Sequence, residues 1–215
     1  MSTVEYCIYE CTSPACGLRF PARVGALRSE RCPRCKALIR RVVNLSLERE
    51  AEQRKRLGVP GLPLETLLDN VRSGWNVGAM FRTADGLGGG RMHLCGITPM
   101  PDHPQVVKTA LGAEKELPWV YASNAVQHCQ ELRSRGYSIW ALEDTPQAEV
   151  IFDLRREDIK DILPVLVVGN EVSGVDPEIL ALCQRVLAIP MHGAKRSLNV
   201  AVAYGIALGA LQHLP

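Results

Sequence analysis

From about residue 64 onward, short apolar blocks alternate with stretches in which apolar residues return every third or fourth position. The blocks Leu64–Leu68, Met92–Cys95, Ser138–Leu142, Val165–Val168 and Val186–Ile189 predict strands, since a strand needs only a few residues to cross a core. The periodic stretches Asn76–Leu87, Asn124–Arg135 and Asn199–His213 predict helices. Asn124 suits a helix cap, and Asp176 followed by Pro177 marks another helix start. Val165–Val168 is apolar at every position, which is expected of a strand buried on both faces. Strand and helix signals in alternation imply an α/β domain with a parallel sheet and helices on both faces.

The first 60 residues read differently. Val4–Tyr9 is strand-like, and Leu47–Leu57, LEREAEQRKRL, is charged and helix-favouring until Gly58-Val59-Pro60-Gly61 stops it. The expected organisation is a small domain at 1–45, a linker helix at 46–58 and a larger domain at 59–215. Charge follows that division. Residues 1–58 carry 12 Lys and Arg against 6 Asp and Glu, whereas residues 59–215 carry 13 against 17. A basic module on a mildly acidic body suggests a polyanionic partner. Neither Ile162–Val168 nor Leu198–Leu211 is long and apolar enough to span a bilayer, and Met1–Ser13 lacks the pattern of a signal peptide. The expectation is a cytoplasmic protein with no membrane partner.

Four of the eight cysteines form two close pairs, Cys11-x4-Cys16 and Cys32-x2-Cys35. Pairs about 15–20 residues apart have the spacing of a four-thiolate zinc site. Gly17 and the Cys32-Pro33-Arg34-Cys35 turn supply tight backbone geometry. A span of about 40 residues cannot build a sufficient core alone, so bound metal would supply its folding energy. The segment resembles a zinc ribbon, with Tyr9 and Phe20 as small apolar plugs. Cys7 competes with Cys11 as a ligand, but it sits in a strand-like run. Cys95, Cys129 and Cys183 read as buried small hydrophobes.

Three segments carry the chemistry of the larger domain. In Leu68–Asp85 a strand runs through a polar loop into a helix containing Asn76 and Arg82. In Val167–Val175 an apolar strand opens into Gly169-Asn170-Glu171-Val172-Ser173-Gly174. In Ile189–Ala203 a strand leads through a basic loop to Ser197-Leu198-Asn199 and a helix. Each is a strand C-terminal end, where parallel sheets bind ligands. The glycines Gly86–Gly90 follow a helix and precede a strand, the reverse of a dinucleotide fingerprint, so they read as a helix stop.

In order and spacing, these segments resemble the motifs of the SpoU/TrmH family of SPOUT methyltransferases: Asn-x-Gly-x-x-x-Arg-Thr-Ala, Gly-x-Glu-x-x-Gly and Ile-Pro-Met-x-Gly-x-x-x-Ser-Leu-Asn-Val. The resemblance covers about residues 64–213, and Lys108–Glu114 also looks like a segment of bacterial members. Many members have Ser where this chain has Ala201. The resemblance implies a SPOUT-type parallel sheet with a C-terminal trefoil knot, one of the exceptions to the rule against knots. It implies S-adenosylmethionine as methyl donor, held by Gly169, Asn170, Ile189, Met191, Gly193 and Leu198, and a homodimer whose site lies at the interface. Gly205-x-x-x-Gly209 would allow close helix packing, either there or within one subunit.

The reaction implied is methylation of a ribose 2′-hydroxyl in tRNA or rRNA. Arg82 becomes the principal catalytic candidate, with Asn76, Glu171, Ser197 and Asn199 around it. A guanidinium is too weak an acid to serve easily as a base, so Arg82 is better suited to holding a phosphate and stabilising a developing alkoxide. Glu171 would orient its neighbours or cap the loop backbone, Ser197 and Asn199 double as helix-start caps, and His192 reads as a loop residue. Arg19, Arg23, Arg28, Arg31, Arg34 and Lys36 of the ribbon would contact RNA phosphates. The competing reading is an RNA-binding or ribosome-assembly factor that keeps the fold without turnover.

Overall fold

The computed structural model describes residues 4–47 and 62–215. The chain divides into two compact units, one within residues 1–59 and one within 60–215.

The first unit is an antiparallel sheet of β1 (Val4–Cys11), β2 (Arg19–Arg23) and β3 (Ile39–Leu47), in the order β2-β1-β3. Along β1 burial alternates, with Cys7, Tyr9 and Cys11 inward. Tyr9 stacks on Phe20 with ring centroids 5.9 Å apart, and the Arg41 guanidinium lies over the Tyr9 ring. The neighbouring residue Glu10 pairs with Arg40 at 2.8 Å and Arg19 at 3.1 Å. One expectation is corrected: Ser46 and Leu47, assigned to the linker helix, end strand β3 and pair with Glu5 and Val4. The pairing partner supplied by β1 outweighs the local helix preference. The rest of the expected linker helix, 48–58, lies outside the described residues.

The second unit is built on seven parallel strands: β4 (Glu65–Asp69), β5 (Met92–Cys95), β6 (Trp119–Ala122), β7 (Tyr137–Leu142), β8 (Glu149–Val150), β9 (Leu163–Val168) and β10 (Arg185–Ala188). Their order is β6-β5-β4-β9-β7-β10-β8. The helices are α1 (Gly74–Leu87), α2 (Pro104–Ala110), α3 (Ala113–Glu116), α4 (Ala125–Ser134), α5 (Pro177–Leu182) and α6 (Val200–Gln212). Met80, Phe81, Trp140, Tyr204 and Leu208 belong to one core layer; Cys129, Ile139, Val165 and Ile179 belong to the other. Strand β9 feeds both layers, Leu166 and Val168 to the first and Val165 and Val167 to the second. That is why its sequence is apolar throughout.

Chain order runs outward from β4 to β6, then resumes at β7 on the other side, and β9 later fills the gap between β4 and β7. This reversal leaves a crevice beyond the carboxyl ends of the central strands, the position at which open α/β sheets bind ligands. Gly88 closes α1 in the left-handed conformation, φ 73°, as the glycine run implied. Gly205 and Gly209 face α1 of the same chain, where an added Cβ would only just reach ordinary van der Waals contact with Thr83 and Leu87.

Candidate active site

The loops that leave β7, β9 and β10 enclose a cavity of about 320 Å³. Its walls include Leu142, Val168, Leu187, Ile189, Met191 and Leu198, and its polar groups include Glu143, Asn170, Glu171, Arg196, Ser197 and Asn199. Gly169 lies against the backbone of Gly174 and Val175 so closely that any Cβ there would collide with it. The next residues form a tight turn. Asn170 and Gly174 exchange backbone hydrogen bonds at 3.0 Å, and the Asn170 side-chain oxygen accepts from the N–H groups of Val172 and Ser173. The Asn170 amide nitrogen donates to the Asn70 carbonyl at 2.7 Å, joining this turn to the loop after β4.

Glu171 is turned toward that loop. Its carboxylate accepts from the N–H of Arg72 at 2.9 Å, the N–H of Ser73 at 3.0 Å and the side-chain amide of Asn76 at 3.0 Å. Partial desolvation favours its protonated form, but the Arg72 N–H and the other donors outweigh that effect and hold its pKa below the usual value. The carboxylate therefore sits negative at the N-terminus of α1, where the helix dipole favours it. Asn199 caps α6, accepting from the N–H groups of Ala201 and Val202, and its amide donates to the Asn76 side-chain oxygen at 3.2 Å. Glu171, Asn76 and Asn199 thus form one chain of hydrogen bonds that joins the β9 loop, the first turn of α1 and the start of α6.

The site residues expected from the sequence are placed unequally. Gly169, Asn170, Glu171, Ile189, Met191, Ser197, Leu198 and Asn199 line the cavity. Asn76 reaches it through Glu171 and Asn199. Arg82 is exposed on α1, and neither it nor Gly193 is among the cavity-lining residues. His192 is an exposed loop residue. Glu143 was not foreseen. It follows the predicted strand Ser138–Leu142, and the rule that ligands sit at strand carboxyl ends would have singled it out.

In the first unit, the sulfurs of Cys11, Cys16, Cys32 and Cys35 all lie within 4.8 Å of one another. Cys7 stays outside the cluster, buried, with its sulfur 3.4 Å from the Asn44 side-chain oxygen. The N–H groups of Cys35 and Arg34 point at the Cys32 sulfur and bring its pKa down to about 6. Burial, reinforced by the neighbouring thiols, pushes Cys11 up to about 12. Positive φ at Gly17 and Lys36 turns the chain back after each pair. Four thiols this close can ionise together only when a cation compensates them, and N–H donors to sulfur are what a thiolate metal site requires.

Residues 63–209 match the family model described as the SpoU rRNA Methylase family. The 23S rRNA (guanosine-2′-O-)-methyltransferase RlmB of Ralstonia nicotianae is 34% identical over 151 residues, covering 70% of this chain and 59% of that protein. The tRNA (guanosine(18)-2′-O)-methyltransferase of Aquifex aeolicus is 34% identical over 149 residues, covering 65% and 64%. The AdoMet-bound rRNA methyltransferase of Sinorhizobium meliloti superposes with a TM-score of 0.65 at 28% identity, covering 71% of this chain and 56% of that one. The matches thus span about three fifths of the length of these relatives.

Proposed function

The chain belongs to the SpoU rRNA methylase family, and from that premise we propose that it transfers a methyl group from S-adenosylmethionine to a ribose 2′-hydroxyl of tRNA or rRNA. The observation that carries this reading is the meeting of three separate segments beside Gly169: Glu171 and Asn199 line one cavity, and Asn76, in the first turn of α1, is hydrogen-bonded to both. The donor supplies an already activated methyl group. Gly169, Ile189, Met191 and Leu198 would hold it, through backbone groups and apolar contact. The protein's further task is alignment of the hydroxyl and stabilisation of the charge that develops on its oxygen.

Arg82 would hold a phosphate and stabilise that oxygen. Its exposed position on α1, away from the cavity of its own chain, supports a homodimer in which a second copy brings Arg82 to the site. The reading includes the C-terminal trefoil knot that the family resemblance implies. It also includes one zinc ion on Cys11, Cys16, Cys32 and Cys35, supported by the convergence of the four sulfurs. The ribbon's free basic side chains would then meet RNA phosphates; Arg19 is committed to Glu10 and contributes less. Among the described residues no helix is long and apolar enough to cross a membrane, and we place the enzyme in the cytoplasm.

The test is methyl transfer from labelled S-adenosylmethionine to total RNA, followed by mapping of 2′-O-methylated nucleotides. Wild type should label RNA, and Arg82→Ala should lose about 10²-fold or more in rate while still binding RNA. An inactive wild type that binds RNA would instead support the assembly-factor reading.

A further inference from the structure

Four charged side chains line the cavity: Glu143, Asp144, Glu171 and Arg196. Both carboxylate oxygens of Glu171 are occupied by donors at the start of α1. Glu143 differs. Its backbone N–H is bound to the Leu187 carbonyl at 3.0 Å, which fixes it between the ends of β7 and β10. One oxygen, Oε2, accepts from the Val175 N–H at 3.0 Å. The carboxylate lies over the Cα of Gly174, where a Cβ would come within 2.5 Å of Oε2. Among the described residues, Oε1 accepts no hydrogen bond. Glu143 is therefore a carboxylate clamped through Oε2 at the wall of the cavity, with Oε1 unpartnered among the described residues.

We infer that Glu143 is a ligand-recognition residue that accepts hydrogen bonds from the O–H or N–H donors of the methyl donor. The inference rests on the donor-binding reading above. A carboxylate is an acceptor only, and beside a partly desolvated cavity a free oxygen is best satisfied by a ligand with hydroxyl or ammonium groups. S-adenosylmethionine carries both, on its ribose and on its amino-acid chain. The clamp on Oε2 fixes the direction of Oε1 before the ligand arrives, so little ordering is needed on binding.

Isothermal titration of the full-length protein with S-adenosylmethionine, S-adenosylhomocysteine and 5′-methylthioadenosine tests this. Glu143→Gln keeps an acceptor for the Val175 N–H but can present an NH2 donor where Oε1 stood. It should melt as the wild type does and bind S-adenosylmethionine about tenfold or more weakly, as expected for loss of a charge-assisted hydrogen bond. An equal loss for 5′-methylthioadenosine places the partner in the nucleoside, on its ribose hydroxyls or its exocyclic amine. A loss confined to the two amino-acid-bearing compounds identifies the ammonium. If Glu143→Gln unfolds, Glu143→Asp, which keeps the charge one methylene shorter, should show a smaller loss. Wild-type affinity in a folded Glu143 variant overturns the inference alone. A wild type that binds none of the three compounds overturns the donor-binding reading and this inference with it.

Discussion

Glu171 and Asn76 are 95 residues apart in sequence and are joined by a 3.0 Å hydrogen bond between carboxylate and side-chain amide. The same carboxylate takes the backbone N–H groups of Arg72 and Ser73, so one residue of the β9 loop closes the N-terminus of α1. In this site a single carboxylate serves the helix and the cavity at once.

Replacing Glu171 with Ala should therefore cost stability as well as function. Loss of the cap contributes about 1–2 kcal/mol, and a melting-temperature fall of roughly 2–6 °C should accompany it. Because the folded-state pKa of Glu171 lies below its ordinary 4.5, its stabilising contribution is complete above that pH. It disappears as pH falls through the folded-state value. Thermal melts of wild type and Glu171→Ala at pH 7 and pH 3.5 should differ more at pH 7.

Gly169→Ala addresses the cavity itself. The added methyl group meets the backbone of Gly174 and Val175, which cannot move aside as a flexible side chain would. Overpacking of this kind costs about 1–3 kcal/mol. The cavity wall should shift, and titration with S-adenosylmethionine should show at least a tenfold loss of affinity in protein that still folds.

A buried histidine pair sits near the start of β4, at the end of the sheet away from the cavity. His93, buried in β5, lies 2.8 Å from His128 of α4 through Nδ1 and 2.6 Å from Glu65 of β4 through Nε2. The Tyr137 hydroxyl donates to the other Glu65 oxygen, and Glu131 lies 3.7 Å from His128. Burial lowers the pKa of both histidines, against the opposing pull of Glu65 and Glu131. The unfolded chain then binds protons that the folded chain refuses. Stability should be level above pH 6.5 and fall as pH drops below it toward the folded-state values. Melts at pH 8, 6.5 and 5 should show this loss, and His128→Gln should reduce the slope between 6.5 and 5.

For the cysteine cluster, elemental analysis of protein purified without added metal should find about one zinc per chain. Cys32→Ser should abolish it. If the proposed metal supplies the folding energy of so small a unit, a strong chelator should melt the first unit while residues 62–215 keep their cooperative transition.

Much of the architecture was readable because its signals are local. Asn124, Asp176 and Asn199 cap the helices they precede, and the apolar blocks lie on strands with ends displaced by one or two residues. Strands β2 and β3 of the first unit were missed, as were α2, α3, β6 and β8 of the second. Those of the second are short, and residues such as Val107, Leu111, Trp119 and Tyr121 remain exposed, which blurs the alternation of apolar and polar positions. At Ser46 and Leu47 the local preference was for helix, and pairing with Val4 and Glu5 decided for strand.

By itself the sequence determined most strand and helix segments of the larger domain, the two cysteine pairs and the three segments that carry polar and glycine residues. Those depend on periodicity, caps and spacing, which are properties of neighbouring residues. Only the tertiary structure decided that β9 slots between β4 and β7, that Glu171 turns toward α1 rather than standing free, that Arg82 is not among the residues lining the cavity, and that Glu143 is clamped by the Val175 N–H. Each depends on hydrogen bonds or packing between residues far apart in sequence, 32 positions for Glu143 and Val175 and 123 for Asn76 and Asn199. Long-range contacts of that kind are set by how the sheet orders its strands, and no local pattern encodes them.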